Sequence, residues 1–226
     1  MWNLTVMKNR VIIIAPHPDD EILGCGGAIL KHKQNGDIVA ILYITNCLPE
    51  FGFSEERCQS RQSEIDSVKN KCNINFIYKL DLAPSKLEKF GLSDLIKKIS
   101  NVFHEFKPNI VYINNYGDAH SDHEIAFKAT YSCTKSFRYP FIEKIYIYEV
   151  PSETEFGYKQ NFKPNSYVDI TTFIDNKLEL MSIYASEVMR SPYPRSLDSI
   201  RALARWRGSR IGVEYAEAFM LLYERR

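Results

Sequence analysis

Short apolar runs that alternate with amphipathic stretches constrain this chain's fold more than any other feature. Val11–Ala15 is a β-branched run and reads as a strand; Glu21–Lys33 reads as a helix, closed near Asn35-Gly36-Asp37. The alternation continues with a strand at Ile38–Thr45, a helix at Ser54–Asn70, a strand at Asn75–Leu80 and a helix at Leu92–Phe106. A strand at Asn109–Asn114, a helix at His123–Ser136 and a strand at Lys144–Val150 follow. Ser54 suits an N-cap, with Glu55 and Glu56 favoured in the first turn. Such alternation predicts an α/β fold, a mostly parallel sheet covered by helices on both faces. If strand four returns to lie beside strand one, the order is 3-2-1-4-5 and a crevice opens at the carboxyl ends of those two strands. After Val150 the pattern weakens. Pro151, Pro164, Pro192 and Pro194 punctuate it, leaving helices near Thr172–Ser186 and Leu197–Arg207 in an elaborated C-terminal region. One domain over residues 1–226 is expected.

Composition narrows the function classes. A formal net charge of +1 gives no global case for nucleic acid or an acidic membrane surface. No apolar run approaches the roughly 18 residues that span a bilayer. Met1–Arg10 lacks the apolar core of a secretory leader, so a cytoplasmic location is expected. The five cysteines contain no Cys-x-x-Cys pair, which predicts reduced, mostly buried thiols. Homo-oligomerisation is compatible with all of this.

Chemistry concentrates at the carboxyl ends of strands one and four. His17-Pro18-Asp19-Asp20-Glu21 follows the first, and His120-Ser121-Asp122-His123 follows the fourth; together they hold three of the chain's five histidines. His and Asp donors suit zinc or a related divalent ion, and two clusters on neighbouring strands could close around one ion. His17 and Asp20 can face that ion while Asp19 points elsewhere. His120 and His123 share a face at helical spacing, so one can ligate while the other lies above it. Taken alone, His-x-x-Asp after a strand is a turn with an N-cap. His32 and His104 lie in polar helical contexts and read as solvated. Gly24, Gly26 and Gly27 do not follow the dinucleotide-loop order, and close helix packing is the better reading. Arg61 could reach a substrate hydroxyl or phosphate, or pair with Glu64 along its helix. Arg195, Arg201, Arg205, Arg207 and Arg210 read first as partners of carboxylates such as Asp198, Glu214 and Glu217; the other reading is a phosphate or diphosphate site. Tyr193, Trp206 and Tyr215 are either core or sugar-stacking platforms.

These residues resemble a known family. Ala15-Pro16-His17-Pro18-Asp19-Asp20-Glu21 with Gly24-Cys25-Gly26-Gly27, and His120-Ser121-Asp122-His123, are similar to the two signatures of PIG-L/LmbE-like zinc deacetylases. Arg61-Gln62-Ser63-Glu64, Tyr167-Val168-Asp169-Ile170 and Tyr215-Ala216-Glu217-Ala218-Phe219 extend the likeness over nearly the whole chain. The resemblance implies a Rossmann-like core and removal of the N-acetyl group from a small amino sugar or sugar conjugate, nucleotide-linked or not. It implies one zinc per chain on His17, Asp20 and His123, with Fe(II) able to take the same donors. It also implies Asp19 as general base, His120 as a protonated stabiliser of the transition state, and Asp122 orienting or polarising His120. The alternatives are an amidase for a larger acyl group on a thiol- or sugar-linked conjugate, a metal-dependent phosphoesterase, and a non-catalytic sugar-binding module.

Overall fold

The computed structural model describes residues 8–226; Met1–Met7, most of the segment read above for a leader, lie outside the described residues. Strands β1 (Arg10–Ala15), β2 (Ile38–Thr45), β3 (Phe76–Leu82), β4 (Ile110–Asn114) and β5 (Lys144–Tyr148) pair in parallel in the order 3-2-1-4-5. Their pleat sorts alternate side chains to opposite layers. Val11, Ile13 and Ala15 of β1 join Val39, Ile41 and Tyr43 of β2 in one core, while Ile12, Ile14, Ala40, Leu42 and Ile44 join the other. A strand buried on both faces has no polar alternation, which is why these runs are continuously apolar in sequence.

Helices α1 (Asp20–Gln34), α2 (Glu55–Lys71), α5 (Ile174–Ile183) and α6 (Leu197–Ser209) cover the first layer. Helices α3 (Leu92–Phe106) and α4 (Ser121–Ser132) cover the second. Because α1 leaves β1 over one face and α4 leaves adjacent β4 over the other, the chain parts between them and leaves a crevice. Helix α4 starts two residues before its expected His123, since the His120 ring caps it by accepting the Asp122 backbone N–H at 3.1 Å.

Beyond Val150 the sequence reading assigned no strand, and the structure contains two. β7 (Ala216–Glu224) pairs antiparallel with β5, and β6 (Ser166–Asp169) pairs antiparallel with β7. β6 is four residues long, too short for a period to register. His32 corrects the solvated reading: its Nδ1 lies 2.7 Å from the Asp37 carboxylate and its Nε2 3.0 Å from the Tyr112 hydroxyl. Among the described residues no helix is long and apolar enough to cross a membrane.

The glycines of α1 serve packing. A Cβ on Gly24 would overlap the Tyr148 ring, and one on Gly27 would overlap Ile170. Tyr148 cannot swing aside freely, because its hydroxyl donates to the Ile14 carbonyl at 2.6 Å. Gly24→Ala is therefore expected to cost about 1–3 kcal/mol by overpacking, read as a lower Tm in thermal unfolding.

Candidate metal centre

The β1–α1 and β4–α4 junctions meet in a cleft of about 300 Å³ lined by His17, Asp19, Asp20, His120 and His123, among others. Three donor atoms converge there. His17 Nδ1 lies 3.3 Å from His123 Nε2 and 3.4 Å from Asp20 Oδ2, and His123 Nε2 lies 3.2 Å from the same oxygen. Tetrahedral coordination at bond lengths of about 2.0–2.1 Å would separate its donors by about 3.3 Å, so the triad has the right spacing for zinc.

The far side of each ring is also built for this. Asp118 Oδ1 accepts from Asn115 Nδ2 at 3.0 Å and Thr154 Oγ1 at 2.7 Å, which leaves Oδ2 to take the His123 Nδ1–H at 2.8 Å. Asp122 Oδ1 accepts the Leu87 backbone N–H at 3.1 Å; its Oδ2 accepts the Ser85 N–H at 2.6 Å and faces His17 Nε2 at 3.0 Å. Each carboxylate fixes its imidazole in the tautomer whose lone pair points into the cluster. The backbone N–H of His17 donates to Asp20 Oδ2 at 2.9 Å, anchoring the third donor. Three carboxylates around two imidazoles make the cluster seek positive charge. Burial opposes a charged His17, yet Asp122 and Asp20 raise it to about 9, and burial likewise fails to offset Asp20 and Asp118 at His123, which is raised well above its usual range.

Asp122 thus differs from its expected part. Its carboxylate engages His17, and only its backbone N–H reaches His120. His17, His120 and Asp122 form a second triad whose donor atoms lie within 4.8 Å of one another. His120 Nδ1 is already used by the Asp122 N–H, however, so that ring can offer only Nε2.

Asp19 stands at the N-cap of α1 without capping it through its side chain, at φ 139°. That is strained backbone for a residue with a side chain. Glu21 holds the conformation: its Oε2 accepts the Asp19 N–H at 3.0 Å, while its Oε1 accepts the Tyr43 and Tyr184 hydroxyls at 2.8 and 2.6 Å. The Asp19 carboxyl is left facing the cleft, with Arg195 Nη1 3.4 Å from its Oδ2. Burial, with Asp20 and Glu187 adding negative charge, lifts it well above the usual carboxylate range, against the pull of His17 and Arg195.

A model of the PIG-L family, described as GlcNAc-PI de-N-acetylase, matches residues 12–134, more than half of the chain. The chain belongs to this family. The match takes in both junctions and ends just past α4. Diacetylchitobiose deacetylase of Thermococcus kodakarensis is 25% identical to this family member over 224 residues, covering 92% of this chain and 81% of that one. A probable N-acetyl-alpha-D-glucosaminyl L-malate deacetylase 2 of Bacillus anthracis is 25% identical over 197 residues, covering 80% and 83%. In fold, the conserved protein TT1542 from Thermus thermophilus is similar at a TM-score of 0.78 and 23% identity, with 96% of each chain covered.

The rest of this PIG-L cleft is held by an arginine–carboxylate knot. Arg61 is buried; its Nη1 donates to the Pro18 carbonyl at 2.7 Å, its Nη2 pairs with Glu187, and its Nε lies 3.3 Å from Glu64. The expected Glu64 pair is present, but the stronger tie is to the loop bearing Asp19. Glu187 also takes Arg57 at 2.9 Å and Arg195 at 3.3 Å. Arg201 pairs with Asp175 at 2.5 Å, Arg205 with Glu214 at 3.7 Å, and Arg207 reaches both oxygens of Glu149 at 2.8 and 2.6 Å. Carboxylate pairing, the first reading of these arginines, is therefore met by four of the five. Of the partners named from sequence only Glu214 is used. Glu217 instead takes buried Lys177 at 2.6 Å, and the structure shows no arginine on Asp198 among the described pairs. Asp118 and Glu187 were missed as site residues, and Arg195 was named only among the C-terminal arginines; Asp118 lies two residues before a named histidine, but nothing marks Glu187 before folding.

Proposed function

We propose that this PIG-L family member is a metal-dependent hydrolase that removes the acetyl group from the nitrogen of a small N-acetylated amino sugar or sugar conjugate. The observation that carries the reading is the joint presence, in one cleft, of a three-donor cluster spaced for a divalent ion and a buried carboxyl, Asp19, that belongs to neither the cluster nor a cap. His17 through Nδ1, Asp20, and His123 through Nε2 would hold one ion; zinc is the first choice, and Fe(II) accepts the same donors. Bound there, the ion supplies Lewis acidity toward the acetyl carbonyl and toward water.

The chain's own residues do the rest. Asp19 takes the proton of the attacking water, and its raised pKa makes it the stronger base. It then returns that proton to the leaving amine. His120 presents Nε2–H to the carbonyl oxygen as charge builds on it. A neutral ring can do this in place of the protonated one expected from the family resemblance, because His120 Nδ1 accepts the Asp122 backbone N–H and the ring hydrogen then sits on Nε2. Asp118 and Asp122 position the two ligand imidazoles. Arg61 holds the Pro18 carbonyl, hence the Asp19 loop. Three of the arginines that suited a diphosphate, Arg201, Arg205 and Arg207, are paired with carboxylates, which favours a substrate without a diphosphate. One deacetylase domain over 1–226 and a cytoplasmic setting complete the reading; the five free cysteines suit a reducing compartment.

Acetate and free-amine release from N-acetylated free sugars, glycosides and nucleotide sugars tests it, with metal-loaded chain and Asp19→Ala as control. Turnover of at least one amino sugar, lost in the variant, is expected. Metal bound at about one per chain with no acetate from any sugar would overturn the substrate reading and favour a larger acyl amide or a binding module.

A further inference from the structure

A base must hold its carboxylate at one place, and the backbone of Asp19 does not do this alone. Its positive φ and the hydrogen bond to Glu21 fix the main chain, but χ1 and χ2 still decide where the oxygens lie, and the side chain caps nothing. Among the described residues the Asp19 carboxylate has one hydrogen-bond partner, Arg195, whose Nη1 lies 3.4 Å from Oδ2. The orientation of the base therefore rests on that contact.

Arg195 is itself firmly seated. It stands between α5 and α6, directly before Ser196, whose hydroxyl caps α6 by accepting the Ser199 N–H at 3.2 Å. Its carbonyl accepts the Met189 N–H at 3.3 Å, which closes the loop that carries it. The same Nη1 that meets Asp19 donates to Glu187 Oε2 at 3.3 Å. Glu187 does not need this contact for its own neutralisation. Its Oε1 already takes Arg57 at 2.9 Å, buried Arg61, and the Ser186 hydroxyl at 3.0 Å. Arg195 also buries its Nε with no acceptor among the described residues. An unpartnered buried donor is a net cost to the fold, so stability does not account for this arginine. Its contact with Asp19 does.

We propose that Arg195 is a positioning residue for the base: through Nη1, and backed by Glu187, it sets the rotamer of Asp19 and leaves Oδ1 to take the proton. The assignment rests on the deacetylase reading above. It adds to that site a group from the C-terminal third, beyond the residues 12–134 that the family model matches.

The test is a cycle of variants in the metal-loaded chain, read as kcat and KM for acetate release from the same panel of N-acetylated sugars. Arg195→Met is expected to lower kcat about tenfold, as for a reacting group displaced from its productive place, with KM changed less than about twofold. Metal content and Tm stay at the wild-type level. Arg195→Lys should recover most of the loss, because one ammonium nitrogen can meet Asp19 and Glu187 as Nη1 does. In the Asp19→Asn background Arg195→Met should cost nothing further, since residues that act as a unit are not additive. An equal loss in that background, a raised KM at constant kcat, or a lysine variant as slow as the methionine one overturns the positioning role and leaves the deacetylase standing. A Tm that collapses with kcat overturns it in favour of a purely structural part. A crystal structure of Arg195→Met supplies a readout that needs no turnover, with the Asp19 carboxylate expected to leave its rotamer while His17, Asp20 and His123 stay in place. If no sugar releases acetate, the deacetylase reading falls and that structure alone decides the arginine. A carboxylate turned away supports the hold of Arg195 on Asp19, and one left in place overturns it.

Discussion

Replacing Asp19 by alanine is expected to lower kcat by about 10²- to 10⁴-fold, the range of a lost general base, while metal content stays at the wild-type level. The division follows from geometry. The donor triad is His17, Asp20 and His123, and Asp19 contributes no atom to it. Its backbone is held independently, through the Glu21 carboxylate and the two tyrosine hydroxyls behind it. Asp19→Asn is the sharper variant, because it keeps the shape and tolerates the positive φ while losing the basic oxygen. Metal measured by elemental analysis alongside acetate release decides the point. Parallel loss of metal and turnover in the Asn variant would remove Asp19 from the role of base and make it part of the cluster.

His17→Ala should do the opposite, abolishing metal retention and, through it, turnover. A ligand that binds only the folded chain stabilises it by mass action, by about 2.7 kcal/mol at a free concentration a hundredfold above Kd. For a chain of this size that corresponds to a rise in Tm of about 5–10 °C on adding metal. Wild type should show the rise and reverse it with a chelator; His17→Ala should show neither. An unchanged metal-dependent rise in the variant would shift the site to donors outside this triad. Asp19→Ala should keep the full rise, so the two variants can be told apart without an activity assay.

Strands β1, β2 and β4 were legible because they are buried on both sides. Val11–Ala15 and Val39–Ile44 are fully buried and mostly β-branched, and such runs stand out in a linear string. Their order was a supposition, that strand four returns beside strand one, and the parallel pairing of β1 with β4 meets it. The antiparallel edge was not legible. β7 is buried over its first residues and half-exposed over the rest, and β6 is a short edge strand, so neither carries a clean period. The second histidine cluster shows the same divide at atomic scale. Its spacing announced that His120 and His123 share a helix face, but not that the Asp122 carboxylate turns to His17 while its N–H turns to His120.

By itself, then, the sequence determined the elements that local physics dictates: five parallel strands, the glycines at the tight α1 contacts, and two histidine–aspartate clusters placed beyond two strand ends. Tertiary structure alone decided which groups surround those clusters. Glu187 and Arg195 reach the Asp19 loop from the C-terminal third, and Thr154 reaches Asp118 from the turn after β5. Spacing brings His17, Asp20 and the His120/His123 pair to one place because neighbouring strands and one helical turn converge there; the choice of His123 came from the family resemblance. The supporting shell cannot be read from spacing, because hydrogen bonds and charge pairs form between whatever side chains the packed core leaves within about 3 Å of each other, however far apart they lie along the chain.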